Sequence, residues 1–372
     1  MLTTLDAATT DTNAGEEDGA DRRTAGKLLA VGTLSAVLTP PAALERIMTH
    51  GDRPVEARLI ADHEDLAETL AAKHHTARAD SLFGLVATHA NQLYRLLDLP
   101  TAPGADRQHL EGVMVGAHAQ AGMLAFNAGS RADARRYFAL ARDIADDADD
   151  NTLRAQALGF SSVLYSSSFT GGYGGNAPRA VRLMSEAAYY ARRADPGTRA
   201  WIAGWLAKDQ AATGDERGFF ESVQLAERLT GETPKGDGRG FFARNYSRNQ
   251  STGGYEQLVG NVGVGLALLK RCEEATDTLT SSLIPGWPRH TIVALTGLAA
   301  IHVLQGEPEQ ACEELRQALN LAIGSGYAMG VERVRGVRAR FSITPTNWAQ
   351  LPCVIEFDEQ LRAATTPLQR KR

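Results

Sequence analysis

The side chains best suited to contact a ligand lie near the middle of the chain, where tryptophan, lysine, arginine and tyrosine occur close together. Trp201 and Trp205 are four residues apart, and Lys208 follows three residues later, so these side chains can share one side of a helix. Two indole rings would form an apolar platform, and the ammonium group would pair with an anion. Arg244 and Tyr246 stand in a glycine-rich segment that could close over the same space. The competing interpretation is that the tryptophans pack between repeats.

A further group of candidates is polar or aromatic and falls on helices that we expect to face a groove. These residues are Tyr165, Asn261, His302, His118 and Asn127. Together with the central residues they form the predicted ligand-binding set.

Catalytic motifs are absent from the sequence. It contains no Gly-x-Ser-x-Gly elbow, no P-loop and no Cys/His dyad in a suitable context. Residues 172–177 superficially match a dinucleotide fingerprint, but they follow a predicted helix rather than the strand that such a site requires. We therefore interpret them as a flexible loop between helices, with a local anion site as the alternative.

Histidines and cysteines could hold a metal ion, but their spacing argues against it. His74 and His75 are adjacent and point to different sides of a helix, while His63 lies eleven residues before His74, too far to chelate from one helix. The three cysteines lack CxxC or Cys/His spacing, which favours small buried side chains over a disulfide framework. We predict no metal, no cofactor and no catalytic residue.

Five copies of a pattern of glycine, alanine and a large apolar residue predict stacked helical hairpins. In the clearest copy, Gly122 and Gly129 are followed by Ala134, Phe138 and Ala141. Gly129 would end the first helix, and Gly122 would let the two helices approach closely. Because such hairpins bury their apolar faces only by stacking, the pattern predicts an all-α fold, a tetratricopeptide-repeat-like right-handed superhelix.

Composition and charge narrow the classes of protein. The chain of 372 residues has a net charge of −5, which provides no overall basic field for nucleic acid or an anionic membrane. Residues 1–24 are acidic and poor in large apolar groups, which predicts disorder. We assign residues 25–341 to a helical-repeat domain with a long loop at 231–254, and residues 342–372 to a C-terminal cap and tail.

Arg22 and Arg23 precede a short apolar run, an arrangement that resembles an export signal. The stretch before them is acidic, whereas a signal peptide begins with positive charge. We therefore expect an internal helix and a cytoplasmic protein, with export as the alternative.

Several segments, taken in order, resemble a known group of proteins. They are the Arg22-Arg23 pair, the apolar run from Leu28, residues 129–134, Gly214-Asp215 and residues 306–318. They resemble the tetratricopeptide-repeat sensor region of actinobacterial regulators that carry a Cro/repressor-like helix-turn-helix. The resemblance implies a ligand on the concave face. In that family the helix-turn-helix precedes the Arg-Arg segment, where this chain has an acidic stretch of only about twenty residues. We therefore expect no sequence-specific DNA binding by this chain alone.

The sequence favours a non-enzymatic regulatory sensor or adaptor that binds a peptide, a protein segment or a small molecule in its groove. The alternative is a biosynthetic enzyme that acts on a small molecule, with the glycine-rich loops as lids. A cluster of Lys, Tyr, His or carboxylate groups beneath those loops would favour the enzyme, whereas amides and aromatic rings would favour binding. We expect no membrane partner, and a homodimer is left open.

Overall fold

The computed structural model describes residues 41–74, 76–166, 175–232, 254–343 and 348–369, and helices dominate these ranges. The α-helices are α1 Pro41–Thr49, α2 Ala57–Ala72, α3 Ala79–Arg95, α4 Arg107–Asn127, α5 Arg131–Asp147, α6 Asn151–Ser162, α7 Ala177–Tyr190, α8 Pro196–Ala212, α9 Glu216–Glu232, α10 Gly254–Leu268, α11 Cys272–Ser281, α12 Pro288–Gln305, α13 Pro308–Gly324, α14 Ala328–Ala339 and α15 Pro352–Gln369. Short 3-10 helices lie at Leu96–Asp98, Ala191–Arg193, Arg340–Ile343 and Trp348–Gln350. Within the same ranges, the only β-type pairing is an isolated bridge between Val55 and Thr101.

From α4 to α13 the described helices pair as successive antiparallel hairpins. The pairs are α4 with α5, α6 with α7, α8 with α9, α10 with α11, and α12 with α13. Helices α1 to α3 precede them, and α2 and α3 pack against α4. The predicted all-α superhelix of stacked hairpins is confirmed, including the five hairpins marked by the glycine pattern. Helices α14 and α15 follow these five hairpins, and both contact α13.

Glycines on the first helix of a hairpin make room for large side chains of neighbouring helices. A Cβ atom at Gly122 would lie 2.6 Å from two ring carbons of Phe138 on α5, which is closer than carbon atoms approach. Gly263 on α10 and Gly297 on α12 would each place a Cβ 2.7 Å from the side chain of Leu279. The expectation that Gly122 allows close approach of two helices is therefore confirmed.

The turns within hairpins use left-handed backbone conformations. Gly129 follows α4 with a φ of 88°, and Gly306 follows α12 with a φ of 82°. Both angles suit glycine, which has no Cβ to clash. Lys270 takes the corresponding place between α10 and α11 with a φ of 63°. The glycine signature is accordingly absent from that turn, although the hairpin forms.

The two ends of the described superhelix touch. The backbone N–H of Ala79 donates to Ser325 O at 3.0 Å, and Arg78 Nη1 donates to Gly324 O at 3.0 Å. Arg289 on α12 donates from Nη2 to Ala77 O at 2.8 Å and from Nη1 to His74 O. Helix α14 also contacts α4. The stack is therefore curved so strongly that its two ends are in contact.

Replacing Arg289 by methionine should loosen this contact while the hairpins stay folded. Arg289 is 5% exposed, and the variant removes two hydrogen bonds between α12 and the segment that precedes α3. Charged hydrogen bonds of this kind contribute about 1.5–3 kcal/mol each. We expect faster hydrogen exchange at the Ala79 amide and a larger radius of gyration by X-ray scattering.

Arg335→Met serves as the control, because Arg335 forms a local ion pair with Glu332 on α14. Unchanged exchange at Ala79 in Arg289→Met would show that the contact between the ends does not depend on this guanidinium.

Candidate functional site

A cavity of about 200 Å³ opens between helices of four successive parts of the stack. Its lining comes from α8, α10, α12 and α14, together with the residues that follow α10 and α14. The lining residues are Ala211, Ala212, Val264, Ala267, Leu268, Lys270, Thr296, Gly297, Ala300, Leu304, Arg333 and Arg340. Eight of these twelve residues are apolar or glycine, and the polar side chains are those of Lys270, Thr296, Arg333 and Arg340.

The charged groups that line this cavity are cationic. Lys270, Arg333 and Arg340 contribute to it, and its described lining includes no aspartate or glutamate. Arg333 is only 2% exposed, and its Nε donates to Thr296 Oγ1 at 3.1 Å. Burial lowers the pKa of Arg333 from its ordinary value. The cavity therefore brings apolar side chains and the side chains of Lys270, Arg333 and Arg340 to one space.

A buried ion-pair cluster lies beside the cavity at the end of α8. Lys208 and Asp209 are 4% and 0% exposed, and the hydroxyl of Ser166 donates to Asp209 Oδ1. Lys208 Nζ lies 4.1 Å from the centre of the Trp205 ring. Among the described residues, Asp209 Oδ2 has no hydrogen-bond partner.

Burial shifts both pKa values of this pair toward neutrality. It lowers the pKa of Lys208 to about 8, with Asp209 opposing the shift and Arg333 adding to it. It raises the pKa of Asp209 to about 6, against the opposing effects of Lys208 and of the Ser166 hydrogen bond. An ammonium and a carboxylate with converging pKa values are suited to exchange a proton, which is a feature of catalytic as well as of binding sites.

The two predicted tryptophans lie in a packed aromatic cluster. The ring of Trp201 stacks on Phe160 with centroids 4.8 Å apart, and the rings of Trp201 and Trp205 are 5.1 Å apart. Trp201 also fills the space at Gly159, where a Cβ would lie 2.6 Å from its ring. With exposures of 3% and 8%, the tryptophans mainly join α6 to α8. This arrangement favours the interpretation that the tryptophans pack between repeats. The contact of Trp205 with Lys208 shows that these two side chains lie together, as the sequence predicted.

The remaining predicted site residues are spread along the superhelix. His118 and Asn127 are 0% and 3% exposed, so they offer almost no surface to a ligand in this conformation. His302 is half-buried at the end of α12, where Nδ1 lies 2.7 Å from Glu307 Oε2. These three residues do not reach the cavity lining.

Tyr165 and Asn261 lie nearer to the centre of the stack, and both are half-buried. The Arg179 guanidinium lies 4.0 Å from the centre of the Tyr165 ring. Arg244 and Tyr246 lie outside the described residues. The binding roles of all ten candidates stay predictions.

Several residues of the cavity and cluster are not among the sequence candidates. Asp209, Ser166, Thr296, Arg333 and Arg340 are the main examples. Asp209 gave no clear signal, because adjacent residues on a helix point in different directions and lysine and aspartate are usually exposed. Arg333 gave no local signal, since its place inside the superhelix depends on how α14 packs.

A second buried polar cluster consists of histidines on α2, α3 and α4. His63 Nδ1 lies 3.0 Å from His89 Nε2, and the two rings stack with centroids 5.2 Å apart. His118 Nδ1 lies 2.8 Å from Met114 O. Burial is the main cause that lowers the pKa of His63 to about 4, that of His118 to about 4, and that of His89 well below its ordinary value.

These histidines do not form a cluster of three or more potential metal ligands. Within the described ranges, no three His, Cys, Asp or Glu side chains gather in a way that could hold a metal ion. In the same part of the chain, no helix has both the length and the apolar character needed to cross a membrane.

Comparisons with known proteins give a likeness at the level of fold. No family model matches the chain, and no curated protein sequence matches it. Among solved structures, the chain is similar to a Rap protein complexed with competence and sporulation factor, with a TM-score of 0.50 and 13% identity, over 93% of this chain and 88% of that one. The likeness supports the helical-repeat superhelix that the helix pairing shows.

Proposed function

We propose that the chain is a non-enzymatic binding protein that holds a peptide, a protein segment or a small molecule inside its superhelix. The observation that carries the proposal is the cavity between helices α8, α10, α12 and α14. Apolar walls with a few well-placed polar groups are typical of ligand sites, and in helical-repeat proteins the concave surface is the common binding surface.

The structural likeness agrees with this function. The similar Rap protein was solved as a complex with competence and sporulation factor, so a superhelix of this kind accommodates a bound factor. We extend the proposal to a regulatory role, in line with the resemblance to the sensor region of actinobacterial helix-turn-helix regulators. The ligand would shift the chain between conformations that a partner distinguishes.

A second candidate function is favoured by the cluster of Lys208, Asp209 and Ser166. A lysine and an aspartate with opposite pKa shifts, beside an aromatic ring, could transfer protons to and from a small molecule. This is the alternative that the sequence left open, namely an enzyme built on the repeat groove. Among the described residues that line the cavity, neither Lys208 nor Asp209 occurs, which favours binding over catalysis.

Native mass spectrometry of protein purified from its own host should reveal a bound molecule. Filling the cavity by Ala300→Phe should then remove it, because Ala300 lines the wall and is half-buried. Ala132→Phe on α5 is the matched control, since Ala132 is exposed and is not part of the cavity lining. A molecule retained equally by both variants would place the binding site elsewhere.

The same preparation separates binding from catalysis. If the chain is an enzyme, the co-purified molecule is converted on incubation, and Lys208→Met stops the conversion while the molecule stays bound. A molecule that is released unchanged from the parent protein supports the binding function.

A further inference from the structure

We infer that Cys312 and Cys353 are an oxidation site, at which a peroxide converts the two thiols into a reversible disulfide that ties α13 to α15. This inference does not depend on the proposed ligand site. It follows from the placement of the two thiols on helices that contact each other, one thiol enclosed by the protein and the other within reach of solvent.

Helix packing places these two cysteines together at the C-terminal end of the stack. Cys312 lies near the start of α13, and Cys353 is the second residue of α15. The two helices contact each other, and both cysteines pack in the same apolar cluster. Their thiols also form a hydrogen bond with each other. The pair therefore meets the first requirement for a disulfide, which is that the two side chains approach closely.

The two thiols differ in exposure, which gives them different roles. Cys312 is 0% exposed, whereas Cys353 is half-buried. The thiolate is the form that reacts with oxidants, and an apolar environment disfavours it. Burial, followed by the charge and the hydrogen bond of Cys353, raises the pKa of Cys312 to about 12, while Arg316 and Arg338 oppose the shift. Cys353 is therefore the thiol that reacts with the peroxide, and Cys312 is the thiol that reacts with the product.

The reaction balances with hydrogen peroxide as the oxidant. The sulfur of Cys353 attacks one peroxide oxygen, the oxygen–oxygen bond breaks, and a sulfenic acid and one water molecule are formed. The sulfur of Cys312 then attacks the sulfur of the sulfenic acid, and the sulfur–oxygen bond breaks. The hydroxyl group leaves as a second water molecule with the proton of Cys312. Two thiols are thereby oxidised to one disulfide, and one peroxide is reduced to two water molecules.

The second step is favoured by the first. The charge of a Cys353 thiolate is one cause of the raised pKa of Cys312. An uncharged sulfenic acid no longer has this effect, so Cys312 loses its proton more readily once Cys353 has been oxidised.

Cys272 is an internal control for this reaction. It lies at the start of α11, where its Sγ donates to Lys270 O at 3.6 Å. It is half-buried, as Cys353 is, but it packs against a different apolar cluster from the other two cysteines. A peroxide should therefore oxidise Cys272 without linking it to Cys312 or Cys353.

The test treats the full chain with hydrogen peroxide, blocks the remaining thiols with iodoacetamide in denaturant, and analyses tryptic peptides by mass spectrometry without a reductant. Trypsin places each cysteine in a different peptide, namely 272–289, 290–316 and 341–362. We expect peptides 290–316 and 341–362 to be joined with the loss of two hydrogen atoms, and dithiothreitol to separate them. The oxidised protein should run as a monomer on a non-reducing gel.

Cys353→Ser should abolish the joined peptide and leave Cys312 open to iodoacetamide. Cys272→Ser is the matched control, since it also replaces a half-buried thiol and should give the same joined peptide as the parent. In the oxidised parent, amide hydrogen exchange in α15 should be slower than in the reduced protein, because the bond restrains this helix.

Two results would overturn the inference. One is that Cys312 and Cys353 stay unlinked under conditions that oxidise Cys272, and the other is that every disulfide formed involves Cys272 or joins two chains. Hydrogen exchange in α15 that is the same before and after oxidation would contradict the claim that the bond ties this helix to α13.

Discussion

Gly122→Leu should destabilise the protein more strongly than any exchange of a surface residue. A Cβ at this position already lies 2.6 Å from the ring of Phe138, and leucine adds three more carbons in the same direction. Phe138 is 1% exposed and packs with Ala134, so its ring has no open space to enter. The expected result is a separation of α4 from α5, with a loss of several kcal/mol in the free energy of unfolding. Urea denaturation followed by circular dichroism measures it.

Phe138→Ala tests the same contact from the other helix. Truncating a buried phenylalanine costs about 3–5 kcal/mol. Because the two positions touch, Gly122→Ala combined with Phe138→Ala should cost less than the sum of the single variants.

Gly112→Ala on the same helix provides the control for helix propensity. Its Cβ would meet only Leu153 Cδ2 at 3.9 Å, which is ordinary contact. Alanine favours a helix over glycine by about 1 kcal/mol, so this variant should be neutral or slightly stabilised. A Gly122→Leu protein that is as stable as Gly112→Ala would contradict the assigned packing of α4 on α5.

The hairpins could be predicted from the sequence because their signals are local. Gly122, Gly129 and Phe138 lie within one hairpin, and their spacing encodes both the turn and the close approach of its helices. Helix α14 carried no such signal. Its charged residues Glu332 and Arg335 lie on the more exposed side, whereas Arg333 is buried, and the sequence does not distinguish the one arginine from the other.

Long-range contacts explain most of what the sequence did not reveal. The contact of Arg78 with Gly324 and that of Arg289 with Ala77 join residues far apart in the chain, and no spacing rule connects them. The candidate site has the same origin. Trp205 and Lys208 are neighbours on one helix, and their contact was predictable, whereas the cavity with Arg333 exists only because four helices far apart in the sequence pack together.

Lowering the pH from 7 to 5 should destabilise the fold by several kcal/mol, because three buried histidines resist protonation. Burial lowers the pKa of His63 to about 4 and of His118 to about 4, and lowers that of His89 well below its ordinary value. In the unfolded chain each histidine titrates near its ordinary value of about 6.5. The unfolded state therefore binds more protons between these values, and the stability present above pH 6.5 is lost as the pH falls toward 4.

Neighbouring charges modify this balance without reversing it. Asp62 favours protonation of His63, while His50 opposes it, and Arg136 opposes protonation of His118. Asp209 has the opposite effect on stability. Its pKa is raised to about 6, so the folded chain binds this proton at a higher pH than the unfolded chain does. With three histidines and this aspartate taken together, the unfolded chain binds about two more protons than the folded chain near pH 5. The free energy of unfolding therefore changes by about 2–3 kcal/mol per pH unit.

Urea unfolding at pH values from 5 to 7.5 should therefore show a steep rise in stability that levels off above pH 6.5. His118→Leu should reduce the slope by about one proton, or ~1.4 kcal/mol per pH unit, because it removes one of the buried bases. The slope is the informative quantity, since the substitution also changes packing against Tyr94 and Tyr137.

His109→Gln is the control. His109 is 42% exposed beside Glu64, and its loss should leave the effect of the buried imidazoles intact. A stability that is flat between pH 5 and 7 in the parent protein, or a slope that responds to His109 and not to His118, would show that the buried histidines do not govern the acid sensitivity of this fold.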